Sequence, residues 1–408
     1  MSNSKKVIAI FTGNRAEYGL QFPIIKAVSE HPDLDYKLII SGAHLDTNFG
    51  QTLDEIKNDG FNIYSEISIT MDANSLDSNV QAIGSGVVEI GKVLSKLRPD
   101  IMVVYADRFE GLAAVIASTQ MNIPTVHIEG GDLTEGGALD DSVRHAMTKL
   151  SHLHFTTNQQ ATNRVLAMGE EAWRVHTVGF PAIDMINDGN YAKIEEIKSL
   201  LSLDLKKPII LFTQHSVTTE FNKSKDQIRA SLKALEKHAT EGAQVLITYP
   251  NNDAGGSQII NEIETLKKQN LENIHIQISL GRYLYHGLLA LAKYEEIKIV
   301  CVGNSSSGIK ETPVFGCPTI NIGSRQEGRL RGENVIDVGY EPEAIYKAIN
   351  DGLNSSSFRD IARNTSNPYY IGDAGKKIAE ILATLDINQK LLRKKMTIRG
   401  ETKEGWFR

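Results

Sequence analysis

The chain has 408 residues, of which 41% are hydrophobic and 23% charged, an ordinary soluble composition long enough for two domains with full cores. A formal net charge of −6 gives no global reason to expect a nucleic-acid partner. No apolar run approaches the roughly 20 residues that a membrane span needs, and the short polar N-terminus has neither a signal-peptide nor a transit-peptide pattern. The only cysteines, Cys301 and Cys317, lack metal-ligand spacing and are typical of buried thiols in a cytoplasmic protein.

Apolar strands alternate with helical patterns along the first half of the chain. Strands that are apolar throughout and separated by helices predict a parallel sheet covered on both faces. The spacing of apolar residues predicts, in chain order, strand 7–12, helix 19–30, strand 36–41, helix 50–58, helix 81–97, strand 101–105, helix 112–119 and strand 123–128.

The same pattern starts again after Phe180 and Pro181 and continues towards the C-terminus. It predicts, in chain order, helix 194–203, strand 208–213, helix 225–241, strand 245–249, helix 256–269, helix 283–292, strand 299–302, strand 319–322, helix 341–353 and helix 375–385.

These elements predict two doubly wound, Rossmann-like α/β domains that face each other across a cleft. The domains are expected at residues 1–185 and 186–370, and a C-terminal helix within 371–390 is expected to cross back to the N-terminal domain. The last segment, 391–408, is a basic tail, and its residues from Arg393 to Arg408 are predicted to be mobile and solvated.

Ligands of open parallel sheets bind beyond the carboxyl ends of the strands, and polar side chains follow several predicted strands of the first half. Arg15 follows strand 7–12 and can offer a bidentate fork to a phosphate or carboxylate. Asp107 and Glu129 follow strands 101–105 and 123–128. Farther on, Asp140 or Asp141 could cap the next helix. Taken singly, such carboxylates are typical of caps or solvated loops, but three carboxylate-bearing strand ends in one half favour an acid–base site.

Matching polar groups follow the predicted strands of the second half. His215 follows strand 208–213, and Arg325 follows strand 319–322. Strand 299–302 leads into Gly303-Asn304-Ser305-Ser306-Ser307-Gly308. That run is typical either of an ordinary strand-to-helix turn with serine caps or of a loop whose hydroxyls and N–H groups bind phosphate oxygens. Together these groups suggest phosphate binding in the C-terminal half and acid–base chemistry in the N-terminal half.

Five motifs in matching order resemble the hydrolysing UDP-N-acetylglucosamine 2-epimerases of bacterial sialic acid biosynthesis. The resemblance runs from about residue 7 to about residue 380. It implies a glycosyltransferase-B type fold, elimination of UDP through a 2-acetamidoglucal intermediate, and hydration to free N-acetylmannosamine, with neither a cofactor nor a metal. The motifs are Thr12-Gly13-Asn14-Arg15-Ala16-Glu17-Tyr18-Gly19, Asp107-Arg108, His127-Ile128-Glu129-Gly130-Gly131, Asp140-Asp141-Ser142-Val143-Arg144-His145 and Gly303-Asn304-Ser305-Ser306-Ser307-Gly308.

The resemblance also implies roles for individual residues. The positions that bind the diphosphate in the family are matched by Arg15, His215, Ser305 and Ser306. The position that holds the ribose hydroxyls is matched by Glu311. Arg144 is expected to orient the catalytic acids, and the carboxylate that removes the C2 proton is left open. The residues expected to bind UDP are Arg15, His215, Ser305, Ser306, Gly308, Glu311 and Arg325. The residues expected to act in catalysis are Asp107, Glu129, Asp140, Arg144 and His215.

Several alternatives remain open on the sequence alone. The loop at 134–138 resembles that of enzymes which hydrolyse UDP-2,4-diacetamido-2,4,6-trideoxyglucose on the way to legionaminic acid, so this UDP-sugar is a second candidate substrate. A non-hydrolysing epimerase, a glycosyltransferase of the same fold and a sugar-nucleotide sensor without turnover are the competing classes. The expected partners are a UDP-sugar substrate and the UDP product, without nucleic acid or membrane. We expect a homodimer or homotetramer, although core packing explains the apolar helix faces at 81–97 and 112–119 equally well.

Overall fold

The computed structural model describes residues 5–45, 52–69, 76–134, 139–250, 255–397, 400–402 and 405–407. By its internal contacts the chain divides into two units. The first unit comprises Met1–Asp132, Leu139–Asp184 and Tyr369–Arg408, and the second comprises Leu133–Ala138 and Met185–Pro368.

Each unit is built on one parallel sheet. The first unit contains β1 Lys6–Thr12, β2 Leu34–Ser41, β3 Ile63–Ile67, β4 Ile101–Tyr105, β5 Thr125–Ile128, β6 Leu153–Thr156 and β7 Val175–Thr177. The second contains β8 Ile209–Thr213, β9 Gln244–Thr248, β10 Ile274–Gln277, β11 Ile299–Gly303, β12 Thr319–Ile322 and β13 Val335–Val338. A separate hairpin pairs β14 Gly400–Thr402 with β15 Gly405–Phe407.

The strand orders show that both sheets are doubly wound. They are β3-β2-β1-β4-β5-β6-β7 and β10-β9-β8-β11-β12-β13. In each sheet the first strand lies beside the fourth, so the direction of winding reverses between β1 and β4 and again between β8 and β11. Ligands of such folds bind at the carboxyl ends of the strands beside the reversal.

Helices cover the faces of both sheets. In chain order they are α1 Arg15–Glu30, α2 Thr52–Asn58, α3 Leu76–Leu97, α4 Phe109–Gln120, α5 Leu139–Leu150, α6 Gln159–Ala167, α7 Ala182–Asn187, α8 Ile194–Leu201, α9 Ser224–Thr240, α10 Gly256–Lys267, α11 Gly281–Ala290, α12 Ser307–Lys310, α13 Thr312–Phe315, α14 Pro342–Asn354, α15 Ser356–Asn364, α16 Ala374–Thr384 and α17 Gln389–Leu392. None of the described helices is long and apolar enough to cross a membrane.

The central strands of both sheets are buried on both faces because most of their residues are apolar. In β1, Ile8 and Ile10 pack into one core cluster, whereas Ala9 and Phe11 pack into another. Successive side chains of a strand point to opposite faces, so a continuous apolar run must be covered twice. The second sheet follows the same rule, with Ile210 in one cluster and Leu211 in the other.

Helix α1 begins four residues earlier than the apolar pattern predicts. Asn14 caps it, since the Asn14 side chain accepts a hydrogen bond from the Glu17 N–H at 3.0 Å. The Glu17 carboxylate in turn accepts the Gly13 N–H at 2.8 Å. This reciprocal capping brings Arg15 and Glu17 into the first turn of the helix.

The first residues of the predicted basic tail, at the end of α17 and just after it, contact the first unit. Leu391 is buried, and the Lys394 ammonium donates to the Lys149 and Ser151 carbonyls at 2.7 Å each. It also forms a 2.8 Å ion pair with the fully buried Glu170 carboxylate. The last carbonyls of a helix lack intrahelical donors, and Lys394 supplies them at the end of α5. The prediction of a solvated tail is therefore wrong for Lys394.

Candidate functional site

Arg144, on α5, is the centre of a group of acidic residues in the first unit. Its side chain is only 2% exposed. Its Nη1 donates to Asp141 Oδ1 at 2.8 Å and to the Asp132 carbonyl at 2.7 Å, and its Nη2 donates to the Asp107 carboxylate. We call Asp107, Glu129, Asp132, Asp141 and Arg144 the acid cluster. A buried guanidinium that bridges two carboxylates can hold both in one ionisation state and orientation.

Backbone geometry also singles out the strand ends that carry the acid cluster. Asp107 follows Ala106, which has a φ of 58°, and Glu129 itself has a φ of 67°. Non-glycine residues rarely adopt this left-handed region, and when they do it is often at a functional site. The Tyr105 hydroxyl lies beside Glu129, and burial and that carboxylate together raise the pKa of Tyr105. The Asp132 carboxylate accepts hydrogen bonds from Thr157 and Asn158.

The two aspartates at the start of α5 have different environments. Helix α5 already includes Leu139, so Asp140 and Asp141 lie in its first turn and neither is its N-cap, which corrects the sequence expectation. Asp140 is exposed, whereas Asp141 is 3% exposed and bonded to Arg144. Carboxylates in the first turn are stabilised by the helix dipole. The structure thus places Asp141 in a buried contact with Arg144.

A second pair of carboxyl groups is buried at the end of β1, and we call Glu17 and Glu110 the glutamate pair. They are 5% and 2% exposed. A Cβ on Gly13 would lie 3.3 Å from the Glu110 carboxyl carbon, while the Gly13 N–H donates to Glu17, so both groups lie against this glycine. Burial and the neighbouring Glu110 raise the pKa of Glu17 to about 8. Burial also raises the pKa of Glu110, although Arg108 lies 3.7 Å from its carboxylate.

The predicted phosphate ligand Arg15 is the first residue of α1, and its side chain lies outside the described part of the chain. Its predicted role therefore stays a prediction. Residues 135–138 of the predicted substrate loop also lie outside the described residues. The start of that loop is fixed within the second unit, because Arg329 donates to the Leu133 carbonyl at 2.6 Å and to the Thr134 hydroxyl at 3.1 Å.

Asn304 joins three strand ends of the second unit. Its side-chain amide accepts the His215 N–H at 2.7 Å and donates to the His215 carbonyl at 2.9 Å, which connects β11 to β8. Its own carbonyl accepts from Arg325 at 3.2 Å and from Gln326 at 2.8 Å, which connects both to the end of β12. Asn304 is 1% exposed, so its amide groups are satisfied by protein partners alone.

His215 is held by these contacts at the carboxyl end of β8. It is 8% exposed, and burial together with the nearby Arg325 lowers the pKa of its imidazole to about 3. The ring is therefore neutral near pH 7 and can donate one hydrogen bond to a ligand. An anionic ligand at this position would favour the protonated ring and raise that pKa.

The serine run follows β11 through a close contact between two strands. Gly303 has a φ of 129°, and a Cβ at this position would lie 1.9 Å from the Thr213 carbonyl oxygen, so only glycine fits. Ser305 and Ser307 are joined by a 3.0 Å hydrogen bond between their hydroxyls. Ser306 precedes α12, and Gly308 lies within it. These residues form a polar, partly exposed loop at the edge where ligands of this fold bind.

The segment after the serines is not one helix. It forms two single turns, α12 and α13, with Glu311 at their junction. Pro313 lies in the first turn of α13. Because proline has no backbone N–H, it cannot continue the hydrogen-bond ladder of α12. The Glu311 carboxylate accepts a hydrogen bond from His286 Nε2 at 2.8 Å. We call His215, Asn304, Ser305, Ser307 and Glu311 the serine-loop cluster.

Most of the predicted site residues fall into these two clusters. Asn304, Asp141 and His286 are the residues whose contacts the sequence did not reveal. Asn304 stood inside the glycine-serine motif, where a buried amide is a usual link between strand ends. His286 gave no signal, since it lies in the middle of a predicted helix. Among the described residues, no group of three histidine, cysteine, aspartate or glutamate side chains is placed to hold a metal ion.

A family model described as UDP-N-acetylglucosamine 2-epimerase matches residues 26–383 of the chain. The chain is 31% identical to the UDP-N-acetylglucosamine 2-epimerase of Neisseria meningitidis serogroup B over 379 residues, which cover 93% of this chain and 95% of that protein. It is 32% identical to the hydrolysing UDP-N,N′-diacetylbacillosamine 2-epimerase of Legionella pneumophila over 390 residues, which cover 96% and 98% of the two chains.

The fold is similar to that of solved structures. The crystal structure of the UDP-GlcNAc 2-epimerase from Neisseria meningitidis bound to UDP-GlcNAc superposes with a TM-score of 0.78 at 20% identity, and the match covers 92% of this chain and 99% of that one. The prediction of two parallel-sheet α/β domains of the glycosyltransferase-B type is confirmed.

Proposed function

The chain belongs to the UDP-N-acetylglucosamine 2-epimerase family, and we propose that it is a hydrolysing member that converts UDP-N-acetylglucosamine into UDP and free N-acetylmannosamine. The observation that carries this proposal is the acid cluster, in which Arg144 bridges Asp107 and Asp141. Inversion at C2 requires one group to remove a proton and another to return it on the opposite face. A set of carboxylates held by one buried cation can supply groups with separate roles.

The first step is an elimination. The C1–O bond to UDP breaks and its electrons leave with the diphosphate, while a carboxylate takes the C2 proton and a C1–C2 double bond forms. The C2 hydrogen is weakly acidic, so departure of UDP leads or accompanies its removal. We assign proton removal and return to Asp107, Glu129 and Asp140, with Arg144 as the orienting partner. The buried contact with Arg144 adds Asp141 to these candidates.

The second step is hydration of the 2-acetamidoglucal. Water adds its oxygen to C1 and gives up one proton to a carboxylate, while a protonated carboxyl group delivers a proton to C2 from the face opposite to the original hydrogen. The free sugar that results has inverted configuration at C2. Asp107 is 16% exposed, so water can reach this carboxylate.

The leaving diphosphate needs hydrogen-bond donors and positive charge, which usually supply the largest part of such catalysis. We assign this role to His215, Ser305 and Ser306, with Arg15 and Arg325 as cations and Gly308 as the position that lets the backbone come close. His215 is neutral without a ligand, and approach of the diphosphate would favour its protonation. Glu311 is assigned to the ribose hydroxyls.

Relatives at this level of identity support a second candidate sugar. The Legionella pneumophila protein, which matches 96% of this chain, is named for the diacetamido sugar UDP-N,N′-diacetylbacillosamine. Both candidate sugars carry the 2-acetamido group and the C2 hydrogen that the proposed reaction uses, and they differ at C4 and C6. The substrate loop begins at Thr134, which Arg329 holds.

The test is incubation with UDP-N-acetylglucosamine in deuterated water, followed by NMR. We expect UDP and free N-acetylmannosamine with deuterium at C2. Persistent UDP-N-acetylmannosamine would instead identify a non-hydrolysing epimerase. Release of UDP only in the presence of an acceptor, with the sugar transferred to that acceptor, would identify a glycosyltransferase. Turnover of UDP-2,4-diacetamido-2,4,6-trideoxyglucose alone would move the substrate to the diacetamido sugar and leave the reaction as proposed.

A further inference from the structure

The carboxylate of Glu311 is held on one side only. Its Oε2 accepts the hydrogen bond from His286 Nε2. Its Oε1 has no hydrogen-bond partner among the described residues, and the side chain is 13% exposed. One oxygen of the carboxylate is therefore fixed by the protein, and the other remains available to a ligand hydroxyl.

The surroundings of His286 determine which of its nitrogens carries the proton. The side chain is 4% exposed, and its ring centre lies 5.7 Å from that of Phe315 and 6.1 Å from that of Tyr285. Its Nδ1 is buried and has no hydrogen-bond partner in the part of the chain that the structure describes. A buried N–H without an acceptor is costly, so the proton resides on Nε2, where Glu311 accepts it.

Neighbouring contacts fix the same corner of the second unit independently of His286. The Tyr285 hydroxyl lies 2.7 Å from the Ser307 hydroxyl, which is bonded to Ser305. Lys310, just before Glu311, is 3% exposed, and its carbonyl accepts the Asn367 side chain at 2.8 Å. The backbone at Glu311 is thus anchored on both sides, while its carboxylate depends on the imidazole for its direction.

We propose that His286 is a positioning residue for nucleoside recognition, which aims the Glu311 carboxylate at the ribose hydroxyls and makes the site prefer a ribonucleotide to its 2′-deoxy analogue. The inference rests on the proposed function, since it takes the ligand to be UDP. A ribose presents two neighbouring hydroxyl donors to a carboxylate, and a 2′-deoxyribose presents one. A site built to accept a hydroxyl discriminates against the analogue that lacks it, because the acceptor is left desolvated and unpaired.

A purely structural role for His286 predicts a different effect of substitutions on the preference for ribose. Phe would fill the same volume beside Phe315 without a donor. Gln and Asn both carry an amide, but the Gln nitrogen reaches the place of Nε2, whereas the Asn nitrogen lies near the place of Nδ1. If His286 only packs, the preference for ribose does not depend on where the amide lies. If it aims Glu311, only Gln replaces the donor.

The experiment is calorimetric titration of the full-length protein with UDP and with 2′-deoxyuridine 5′-diphosphate. We expect the unsubstituted protein to bind UDP at least about tenfold more tightly than the deoxy analogue, roughly the worth of one hydrogen bond to a charged group. In His286→Asn and His286→Phe, the ratio of the affinity for UDP to that for the deoxy analogue should fall towards one, mainly because UDP binds more weakly. His286→Gln should keep most of that ratio, and Glu311→Gln should lose it.

Thermal unfolding of each variant shows whether it is folded, and the Gln and Asn variants keep the comparison open if Phe is not tolerated. An unchanged ratio in the Asn and Phe variants would overturn the inference, and so would equal loss in all three His286 variants. The proposed function fails separately: a protein that binds GDP but not UDP, with the same ribose preference and the same dependence on His286, would retain the role of His286 and refute the uridine assignment.

Discussion

The acid cluster and the serine-loop cluster occupy equivalent edges of two sheets with the same winding, yet they are built from different chemistry. In the first unit, ion pairs join Arg144 to Asp107 and Asp141. In the second unit, the links around Asn304 are hydrogen bonds that involve its neutral amide and its backbone. One fold thus supports two kinds of site, and the kind is set by the side chains that follow the strands.

Physical chemistry explains why the two clusters differ. Proton transfer needs groups whose charge can change, and such groups must be held by opposite charges that keep them buried. Binding a diphosphate needs hydrogen-bond donors that are already in place when the negative charge arrives, and hydroxyl, amide and N–H groups meet that need. The clearest ways to test the comparison are substitutions that should affect one cluster and leave the other intact.

The largest effect is expected from Asp107→Asn. This change keeps the shape of the side chain and removes the charge that Arg144 binds. General acid–base groups contribute about 10²–10⁴-fold to turnover, and we expect kcat to fall by that amount. Affinity for UDP, measured by calorimetry, should change by less than about tenfold, or roughly 1.4 kcal/mol.

Asp141→Asn is the matched control, because Asp141 is the other carboxylate bound by Arg144. If Asp107 acts on substrate and Asp141 mainly orients Arg144, the second variant should retain more turnover than the first. A loss of UDP affinity greater than tenfold in Asp107→Asn would contradict the division of labour between the clusters.

Lys394→Met should produce the largest loss of stability. Lys394 is paired with Glu170, whose side chain is fully buried and which also contacts Lys149 and His154. Removing one partner of a buried ion pair typically costs about 3–5 kcal/mol when the other charge is left uncompensated. Lys149 still pairs with Glu170 in the variant, so we expect a loss of stability below that range. We expect hydrogen exchange, followed by mass spectrometry, to accelerate in α5 and β6 of the first unit.

Tyr285→Phe is the comparison variant in the second unit, where it removes one neutral hydrogen bond to Ser307. A neutral hydrogen bond contributes about 1 kcal/mol, so exchange around α11 and α12 should rise much less. Equal effects of the two substitutions would show that buried charge does not distinguish the two units.

Asn304→Ala should affect binding of the UDP-sugar more than proton transfer. The change leaves the buried N–H and carbonyl of His215 without their present partner, and each unpaired group costs about 1–3 kcal/mol. Since His215 and the serine loop depend on this link, we expect KM for the UDP-sugar to rise about tenfold. Turnover at saturating substrate should fall less than in Asp107→Asn, because the carboxylates of the acid cluster are unchanged. A fall in kcat as large as that of Asp107→Asn would refute the separation of roles.

The elements that the sequence predicted well are those with a strong local signal. The apolar runs that became β1, β4, β8 and β11 predicted parallel strands, and the polar residues after them marked the ligand edge of each sheet. Helix α15 was not predicted, because Ser355, which caps it by accepting the Phe358 N–H, lies in a serine-rich stretch that is equally typical of a loop.

The contacts within the clusters were not readable from the sequence because they join distant parts of the chain. Asp140 and Asp141 are adjacent in the sequence, and only the packing of α5 against distant parts of the chain decides that Asp141 is the buried one. His286 and Glu311 are 25 residues apart and meet because α11 packs beside α13. Local periodicity places a residue on an element, but tertiary packing decides what it touches.

The smallest effect, and the one most specific to the first unit, is expected from Glu17→Gln. The pKa of Glu17 is raised by burial and by Glu110. Between the usual carboxyl pKa of 4.5 and the folded value of about 8, the unfolded chain is ionised while the folded protein retains the proton. Stability is therefore lost as pH rises through this window, by up to about 1.4 kcal/mol per pH unit for one group. Gln cannot ionise and removes that loss.

Urea unfolding followed by tryptophan fluorescence measures this effect in the relevant unit, because both tryptophans, Trp173 and Trp406, belong to the first unit. We expect the variant to gain about 1 kcal/mol relative to the natural protein for each pH unit between 6 and 8. Burial raises the pKa of Glu110 too, so Glu110→Gln should also gain stability over the natural protein as the pH rises. The double variant should gain less than the sum, because each substitution already removes the repulsion between the two carboxylates. Parallel pH curves for the natural protein and the variants would contradict the raised pKa of Glu17 and would mean that the glutamate pair is already ionised in the folded protein.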